Sequence, residues 1–500
     1  MSRLPAAAAA IAIFSLSFAI SAQAQTVPQA DMNATEAPSA PVVSPVSDPA
    51  PPSMVDAILR ARRMLQDIVD ARSKTRKQPY PAASANTAKV TFAVWNRKTD
   101  AIALIEAAKS GTGLAITSGP ILPIKVTYNA KLYSQYALPA STDSLVVGVI
   151  YPVISTTGTG KRKKAFAADT VYVPYDPAFY TPEMLGAGSD YLSFLIQQAY
   201  DEMRAKGIRS RAFPDKLVVD VIDPYLVKSI AVIEHSDHQQ LLSDDDPERT
   251  VGRFLVKLAA NRDSAFDASI STAGAAGLVQ FIPSTYALMV RKRPDLGLIP
   301  DFRQGMADHQ NAVKAQVAYL DEDLAGMSAV RELYVRDKAK AAEFLAASYN
   351  GGSVRVKRAY TTYGEDWAKS YAKELARAQS DAAALKKRIK TLQKNIDAGK
   401  DVKASKAALA KAKAQRDEAV VTIATINRSS LRKETVFYVA KLKKTYAMFT
   451  AGYFATPRAP SGALPAQAVP ETPAASEAVA AAPSSAGQVC FSDGGCAAVN

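Results

Sequence analysis

The sequence predicts a mainly helical protein, with an antiparallel coiled-coil hairpin inserted in its main domain and a small α+β domain before it. Three observations carry this. From about residue 176 onward, apolar residues recur at steps of three and four behind Asp-Pro pairs such as Asp223-Pro224 and Asp246-Pro247, the pattern of capped amphipathic helices. Leu375, Ala378, Ala382, Leu385, Ile389, Leu392 and Ile396 form a heptad seam. Short runs rich in Val, Ile, Tyr and Phe between 90 and 175 read as strands.

In chain order, Met1 to Ala24 reads as a secretory leader. Arg3 supplies the positive end, Ala6 to Ile20 the apolar stretch and Ala22-Gln23-Ala24 a small-x-small cleavage site. No Cys lies near the cut, so no lipid anchor is expected, and the mature chain is expected in the periplasm or outside the cell. After cleavage no stretch is apolar enough for an integral membrane segment. Residues 25–53 are rich in Pro, Ala and Ser and predict a disordered linker. Met54 to Lys74 predicts a helix. Val90 to Trp95, Ile121 to Tyr128, Leu145 to Tyr151 and Val171 to Tyr175 predict strands, and Ala101 to Lys109 a helix. Residues 54–175 are thus expected to form the α+β domain, whose role the sequence leaves open.

The 500 residues carry 61 Lys and Arg against 47 Asp and Glu, a net charge of +14. A basic exported chain suits an anionic polymer such as the cell wall. The leader argues against nucleic acid as the partner. The basic loop Gly160 to Lys164 reads as a solvated turn. The two cysteines, Cys490 and Cys496, are expected to close one small loop in an oxidising compartment.

Tyr191 to Lys206 predicts a helix. The next starts at Asp223-Pro224, with Asp as N-cap and Pro as first helical residue. Leu226, Ile230 and Ile233 form its core face, and Glu234 sits in its last turn. A helix C-terminus disfavours a second negative charge, and apolar neighbours add a desolvation penalty. Both raise a carboxyl pKa toward what a general acid needs. The plainer reading is a surface Glu at a helix end. Asp246-Pro247 opens a further helix with Val251, Phe254, Leu255 and Leu258 inward, and Ser243 to Asp246 reads as its acidic N-terminus. His235 and His238 in EHSDH fall on one side of a helical turn, but HExxH order and an obvious third ligand are missing, which argues against a metal site.

Ser271 to Tyr286 reads STAGAAGLVQFIPSTY, with Gly274 and Gly277 three apart, Gln280 inside an apolar run, and Pro283 opening the next helix. By itself the stretch reads as a tight corner with a satisfied core Gln. Asp308 to Leu324 is amphipathic. Ala339 to Tyr349 forms a helix ended by Asn350-Gly351-Gly352, for which a glycine C-cap suffices. The heptad seam then breaks at Asp397-Ala398-Gly399, and Leu409, Ala412, Ala419, Ile423 and Ile426 carry it back, with Arg416 out of place. Arms of about 33 Å follow from 1.5 Å per residue. Such a hairpin is a candidate surface for a protein partner. Leu431 to Tyr446 predicts a closing helix, and 456–500 a disordered tail with the Cys loop.

The motif Ser271 to Thr285 resembles that of the soluble lytic transglycosylases (the SLT domain), relatives of goose-type lysozyme. Tyr225 to His235 resembles the family's helix ending in a catalytic Glu, Ala346 to Val356 its A-x-Y-N-[AG]-G element, and Glu434, Thr435, Tyr438 and Val439 its closing helix. The resemblance covers roughly residues 215–365 and the helix after 430. It implies a lysozyme-like, mainly α catalytic domain over 176–365 and 429–455, with the hairpin of 366–428 inserted in it. It implies Glu234 as catalytic acid and Gln280, Tyr349, Asn350, Tyr319 and Tyr438 as substrate-binding residues. Peptidoglycan glycan strands are the implied substrate, cut between MurNAc and GlcNAc with formation of 1,6-anhydroMurNAc ends, and no cofactor is implied.

The sequence departs from the family where His235 replaces the Ser after the Glu and where a long insertion precedes Ser271. Asp263-Ser264-Ala265-Phe266 imitates the family's E-S-x-F closer to the motif, one residue short of the usual spacing, and competes with Glu234. The residue type and the apolar run before it favour Glu234. Two other readings stay open: a hydrolytic muramidase with Asp237 or Asp263 as second acid, and an inactive wall-binding scaffold.

Overall fold

The computed structural model describes residues 52–75, 77–82, 89–110, 112–139, 141–157, 164–242, 246–454, 489–490 and 496–497. The expected leader, most of the linker, most of the basic loop and most of the tail lie outside these residues.

The sheet region begins with helix α1 (Met54–Thr75), followed by strands β1 (Tyr80–Pro81), β2 (Lys89–Asn96), β3 (Ile102–Ser110), β4 (Gly113–Ser118), β5 (Lys125–Tyr128), β6 (Gln135–Ala137), β7 (Ser144–Thr157) and β8 (Lys164–Tyr172). Six form one antiparallel sheet in the order β1-β8-β7-β2-β3-β4, and β5 pairs β6 beside it. Central β2 is buried on both faces because alternate residues meet different layers. Ala93 and Trp95 face α1 with Leu145 and Val147, while Val90, Phe92 and Val94 pack with Val126, Leu132 and Tyr136. Helix α1 comes so close at Gly148 that an added Cβ would lie 2.6 Å from Leu65 Cδ1.

Two sequence expectations fail here, and of the strand expected at Val171 to Tyr175 only the first two residues are strand, as the end of β8. Residues 101–109 are not a helix. Ala, Leu, Glu and Lys favour one locally, but the stretch pairs with β2 from Lys89↔Ala108 to Trp95↔Ile102 and buries Ile105 and Ala107. Nine residues make a marginal helix alone, so the ladder wins. The strand expected from Ile121 starts only at Lys125, because Pro120 and Pro123 withhold two backbone donors.

The helical region comprises α2 (Pro182–Ala205), α3 (Val218–Val221), α4 (Pro224–Glu234), α5 (His238–Leu242), α6 (Pro247–Asn261), α7 (Pro283–Lys292), α8 (Phe302–Ala307), α9 (His309–Gly326), α10 (Ser328–Arg336), α11 (Lys338–Gly351), α12 (Ser353–Tyr363), α13 (Ala372–Asp397), α14 (Val402–Ser429) and α15 (Lys433–Thr450). Caps read from sequence are in place. Asp223 accepts from Tyr225 N at 2.8 Å and Asp246 from Arg249 N at 2.8 Å, each with Pro next. Among the described residues no helix is long and apolar enough to cross a membrane. Beyond the helices, β9 (Val489–Cys490) pairs antiparallel with β10 (Cys496–Ala497), which puts Cys490 opposite Cys496 in the backbone register.

The sheet and helical regions share a core. Met54, Ile58, Leu65 and Val69 of α1 cluster with Met184 of α2 and with Val256, Ala259 and Ala260 of α6. Asn261 stitches the two, taking Val173 N at 2.8 Å and giving its amide to Val173 O at 3.1 Å.

Helices α13 and α14 lie side by side, joined by a turn with Gly399 at φ 70°. The seam residues are the covered ones: Ala378, Leu409, Ala412 and Ile426 are buried, and Leu375, Leu385, Ile389, Leu392 and Ile396 half-buried. The insertion's expected start at 366 is too early. Trp367 is fully buried and stacks on Phe344 with ring centroids 4.0 Å apart, so it belongs to the main core. Excision of 373–427 with a short Gly/Ser bridge is expected to keep a single cooperative thermal transition. Trp367→Ala is expected to lower stability by about 3–5 kcal/mol. Calorimetry of both variants checks this, and a cooperative transition lost on excision would refute the hairpin's independence.

Candidate active site

Helix α4 delivers the site's carboxylate. Leu226, Val227, Ile230, Ala231, Val232 and Ile233 are buried and anchor the helix in the core, so its last residue, Glu234, is held at a fixed place. The last carbonyls of this helix, which accept backbone N–H groups of the cap, also take side-chain donors: Ser236 Oγ donates to Val232 O at 2.6 Å, and Lys441 Nζ lies 3.3 Å from Ile233 O. A cation here also suits the helix dipole.

Glu234 Oε1 accepts a 2.7 Å hydrogen bond from Tyr438 Oη of α15. Burial pushes the Glu234 carboxyl up to about 7; the Tyr438 bond and the Lys441 charge pull the other way without cancelling it, and Glu434 adds to the rise. The Tyr438 phenol is driven well above its ordinary value, by burial first and then by Glu234. Tyr438 is only 3% exposed. Its hydroxyl contacts the carboxylate.

Asp263 is placed differently. Its side chain is 86% exposed and pairs with Arg62 at 3.2 Å. Asp237 N-caps α5, accepting from Gln239 N at 2.8 Å and Gln240 N at 3.0 Å.

Residues 271–282 form a loop that meets the end of α4 through His235, and Pro283 opens α7. Gly274 and Gly277 have φ of 80° and 72°, and Gln280, which is not glycine, has φ 50°. His235 Nε2 lies 3.2 Å from Gly277 O and 3.0 Å from Leu278 O. Two carbonyls can only accept, so this nitrogen carries the proton. The ring stacks on Phe266 at 3.9 Å and more distantly on Phe254, and burial lowers its pKa to about 4. Thus His235 clamps the loop to the helix as a neutral side chain. The shared helical turn expected of His235 and His238 is absent, since α4 ends at Glu234 and α5 begins at His238. Among the described residues no three His, Cys, Asp or Glu converge as a metal ion would need.

Gln280 Nε2 donates to Gly277 O at 2.9 Å and to Ser269 O at 3.3 Å. Flipping the amide would set its oxygen against two carbonyls, so the orientation is fixed and Oε1 is left available as an acceptor. Tyr349 Oη donates to Val279 O at 2.6 Å, and its ring meets Phe281 and Tyr319 edge-on at 5.7 and 5.5 Å. Tyr319 meets Phe281 and Tyr349 edge-on and bonds Asp323, whose carboxyl burial raises to about 6. Asn350 Oδ1 accepts from Thr435 Oγ1 at 2.8 Å, which leaves Nδ2 as a donor. Gly351 makes this closeness possible, because a Cβ there would meet Thr435 Oγ1 at 2.7 Å.

The fold therefore joins α4, the loop, α11 and α15 through Glu234, His235, Gln280, Tyr349, Asn350 and Tyr438, with Tyr319 one layer back. Sequence reasoning gave no role to Lys441 or Thr435. A polar face on an otherwise buried helix was the available signal: Thr435, Tyr438, Lys441 and Thr445 are all buried in α15.

An acid held at a raised pKa beside polar amides, on a helical scaffold, makes this a candidate site for acid–base chemistry. Comparison adds to this: residues 247–371 match the family model described as the Transglycosylase SLT domain. The match takes in the glycine loop and Tyr349-Asn350; Glu234 precedes it and Tyr438 follows it. No curated protein and no solved structure matches the chain.

Proposed function

We propose that this chain is an exported lytic transglycosylase that cleaves the β-1,4 bond between MurNAc and GlcNAc in peptidoglycan and leaves 1,6-anhydroMurNAc ends. The observation that carries the reading is the Glu234 carboxyl: held by Tyr438 and raised to about 7, it is substantially protonated at neutral pH and still able to ionise. Glycosidases with two carboxylates divide acid and nucleophile or base between them. Here one group serves in turn.

Glu234 gives its proton to the glycosidic oxygen as the C1–O bond breaks. The resulting carboxylate then takes the proton from the MurNAc 6-hydroxyl, whose oxygen closes on C1. One C–O bond is lost and one formed, the proton returns to Glu234, and no water is consumed. The free Oε1 of Gln280 accepts from the acetamido N–H of the substrate, and Asn350 Nδ2 donates to an acetamido carbonyl. Tyr349 and Tyr319 set the loop's position from behind, and Tyr438 orients the acid.

Mass spectrometry of fragments released from purified sacculi tests the reading. Anhydro ends are expected. Reducing ends would make the chain a hydrolytic muramidase, and no release would make it a binding scaffold. Export is part of the same proposal. Protein recovered from the periplasm is expected to begin at Gln25 and to have an intact mass two hydrogens below the reduced value, from a Cys490–Cys496 bond. A retained leader or two free thiols would contradict it.

A further inference from the structure

A cleft of about 730 Å³ lies at the root of the hairpin, between α12 and α14, and none of its walls belongs to the site above. Val354, Lys357 and Arg358 line one wall and Val421, Thr425 and Arg428 the other. On each helix these residues fall at steps of three and four, so each presents one continuous face.

The walls contain three cations and no acid. Among the described residues Lys357, Arg358 and Arg428 have no ion-pair partner. Three like charges around one cleft repel each other and favour an anion between them. Val354 and Val421, each 64% exposed, add apolar surface inside the same cleft. Cations with hydroxyls and small apolar patches suit a short peptide bearing carboxylates and small aliphatic groups better than a bare ion.

The cleft's position says where that peptide comes from. Val354 lies four residues after the candidate substrate residue Asn350, across the break between α11 and α12 at Gly352, and Arg355 Nη1 donates to Ser430 O at 3.0 Å, tying α12 to the end of α14 that leads into Thr435. From Val354 to Thr362 the α12 wall runs about 12 Å. An extended tetrapeptide spans about 13 Å.

We propose that this cleft binds the carboxylate-bearing stem peptide of peptidoglycan while the glycan lies at Glu234, an inference that rests on the wall as substrate. The stem is tethered to MurNAc, so even weak peptide binding acts at high effective concentration and favours stem-bearing glycan.

The test uses the full mature chain and the triple variant Lys357→Ser, Arg358→Ser, Arg428→Ser, whose changed positions are all exposed. Isolated tetrapeptide stems are titrated calorimetrically, and anhydro release is measured from intact sacculi and from amidase-treated, peptide-free glycan. Expected are stem binding that weakens at least tenfold in the variant and in 0.5 M salt (an ionic strength at which exposed charges are screened within roughly 4 Å), a several-fold slower release from sacculi, and unchanged release from peptide-free glycan. Equal stem binding by the two proteins, no stem binding, or inorganic phosphate binding as tightly as the stem would overturn the assignment. If neither substrate yields anhydro ends but stem binding still depends on the three cations, the cleft assignment stands and the transglycosylase reading falls.

Discussion

Glu234→Gln is expected to slow anhydromuropeptide release by about a thousandfold or more, since general acid–base help from one group is worth roughly 10²–10⁴ and this group acts twice. Gln keeps the shape and still accepts the Tyr438 hydrogen bond, so loss of activity will not reflect loss of fold. The same variant has a stability signature of opposite sign. Burial raises the Glu234 carboxyl from 4.5 to about 7. A raised carboxyl favours the folded state fully below its unfolded pKa, and that contribution is lost as pH climbs through about 7. The wild type therefore bears the cost of a buried carboxylate at pH 8 that Gln does not. Glu234→Gln should be more stable than wild type at pH 8, by about 1–3 kcal/mol since the carboxyl is part-buried, with the gap closing toward pH 4. Wild-type release should likewise fall as pH rises past about 7. Asp263→Asn should retain most activity and change stability by at most about 1 kcal/mol, because it removes one exposed ion pair with Arg62. The reverse ranking in folded variants would transfer the acid's role to Asp263.

Gly277→Ala should be the most damaging single methyl in the glycine loop. At φ 72° an L side chain is strained by about 1–2 kcal/mol. In addition, its Cβ would sit 2.4 Å from Met306 O, a backbone atom that cannot swing aside. Overpacking of that kind adds about 1–3 kcal/mol. The damage should reach the site directly, because Gly277 O receives both His235 Nε2 and Gln280 Nε2. Gly274→Ala shares the strain, at φ 80°, but its Cβ meets nothing nearer than Pro283 Cδ at 3.8 Å. Urea unfolding should therefore show a loss of about 2–5 kcal/mol for Gly277→Ala and about 1–2 for Gly274→Ala, with activity surviving only in the second. Equal losses would mean that the approach to Met306 does not fix the loop.

The two glycines show how far sequence alone reaches. Their spacing in STAGAAG marked a loop that other atoms approach, but only the fold distinguishes them, because Met306 comes from another part of the chain. The same division runs through the molecule. The sequence by itself determined the starts of α4 and α6 through Asp-Pro caps, the start of α7 at Pro283, and the seam that α13 and α14 share. Each depends on residues within a turn or two, or on a repeat that one chain segment carries. Only the tertiary structure decided that 102–110 is a strand, since the ladder with β2 outweighs its helix-forming residues. Only it put Trp367 in the main core against Phe344 and turned His235 toward the glycine loop. The contrast between Glu234 and Asp263 is of the same kind. The two lie 29 residues apart, and the sequence around Glu234 gave only the direction of its shift, with a surface Glu as the plainer reading. Desolvation is set by whatever the fold packs over a group, and the groups that oppose it at Glu234, Tyr438 and Lys441 of α15, lie some 200 residues later. Caps and seams act within a turn or along one segment and are written locally, whereas burial sums over every element the fold brings near.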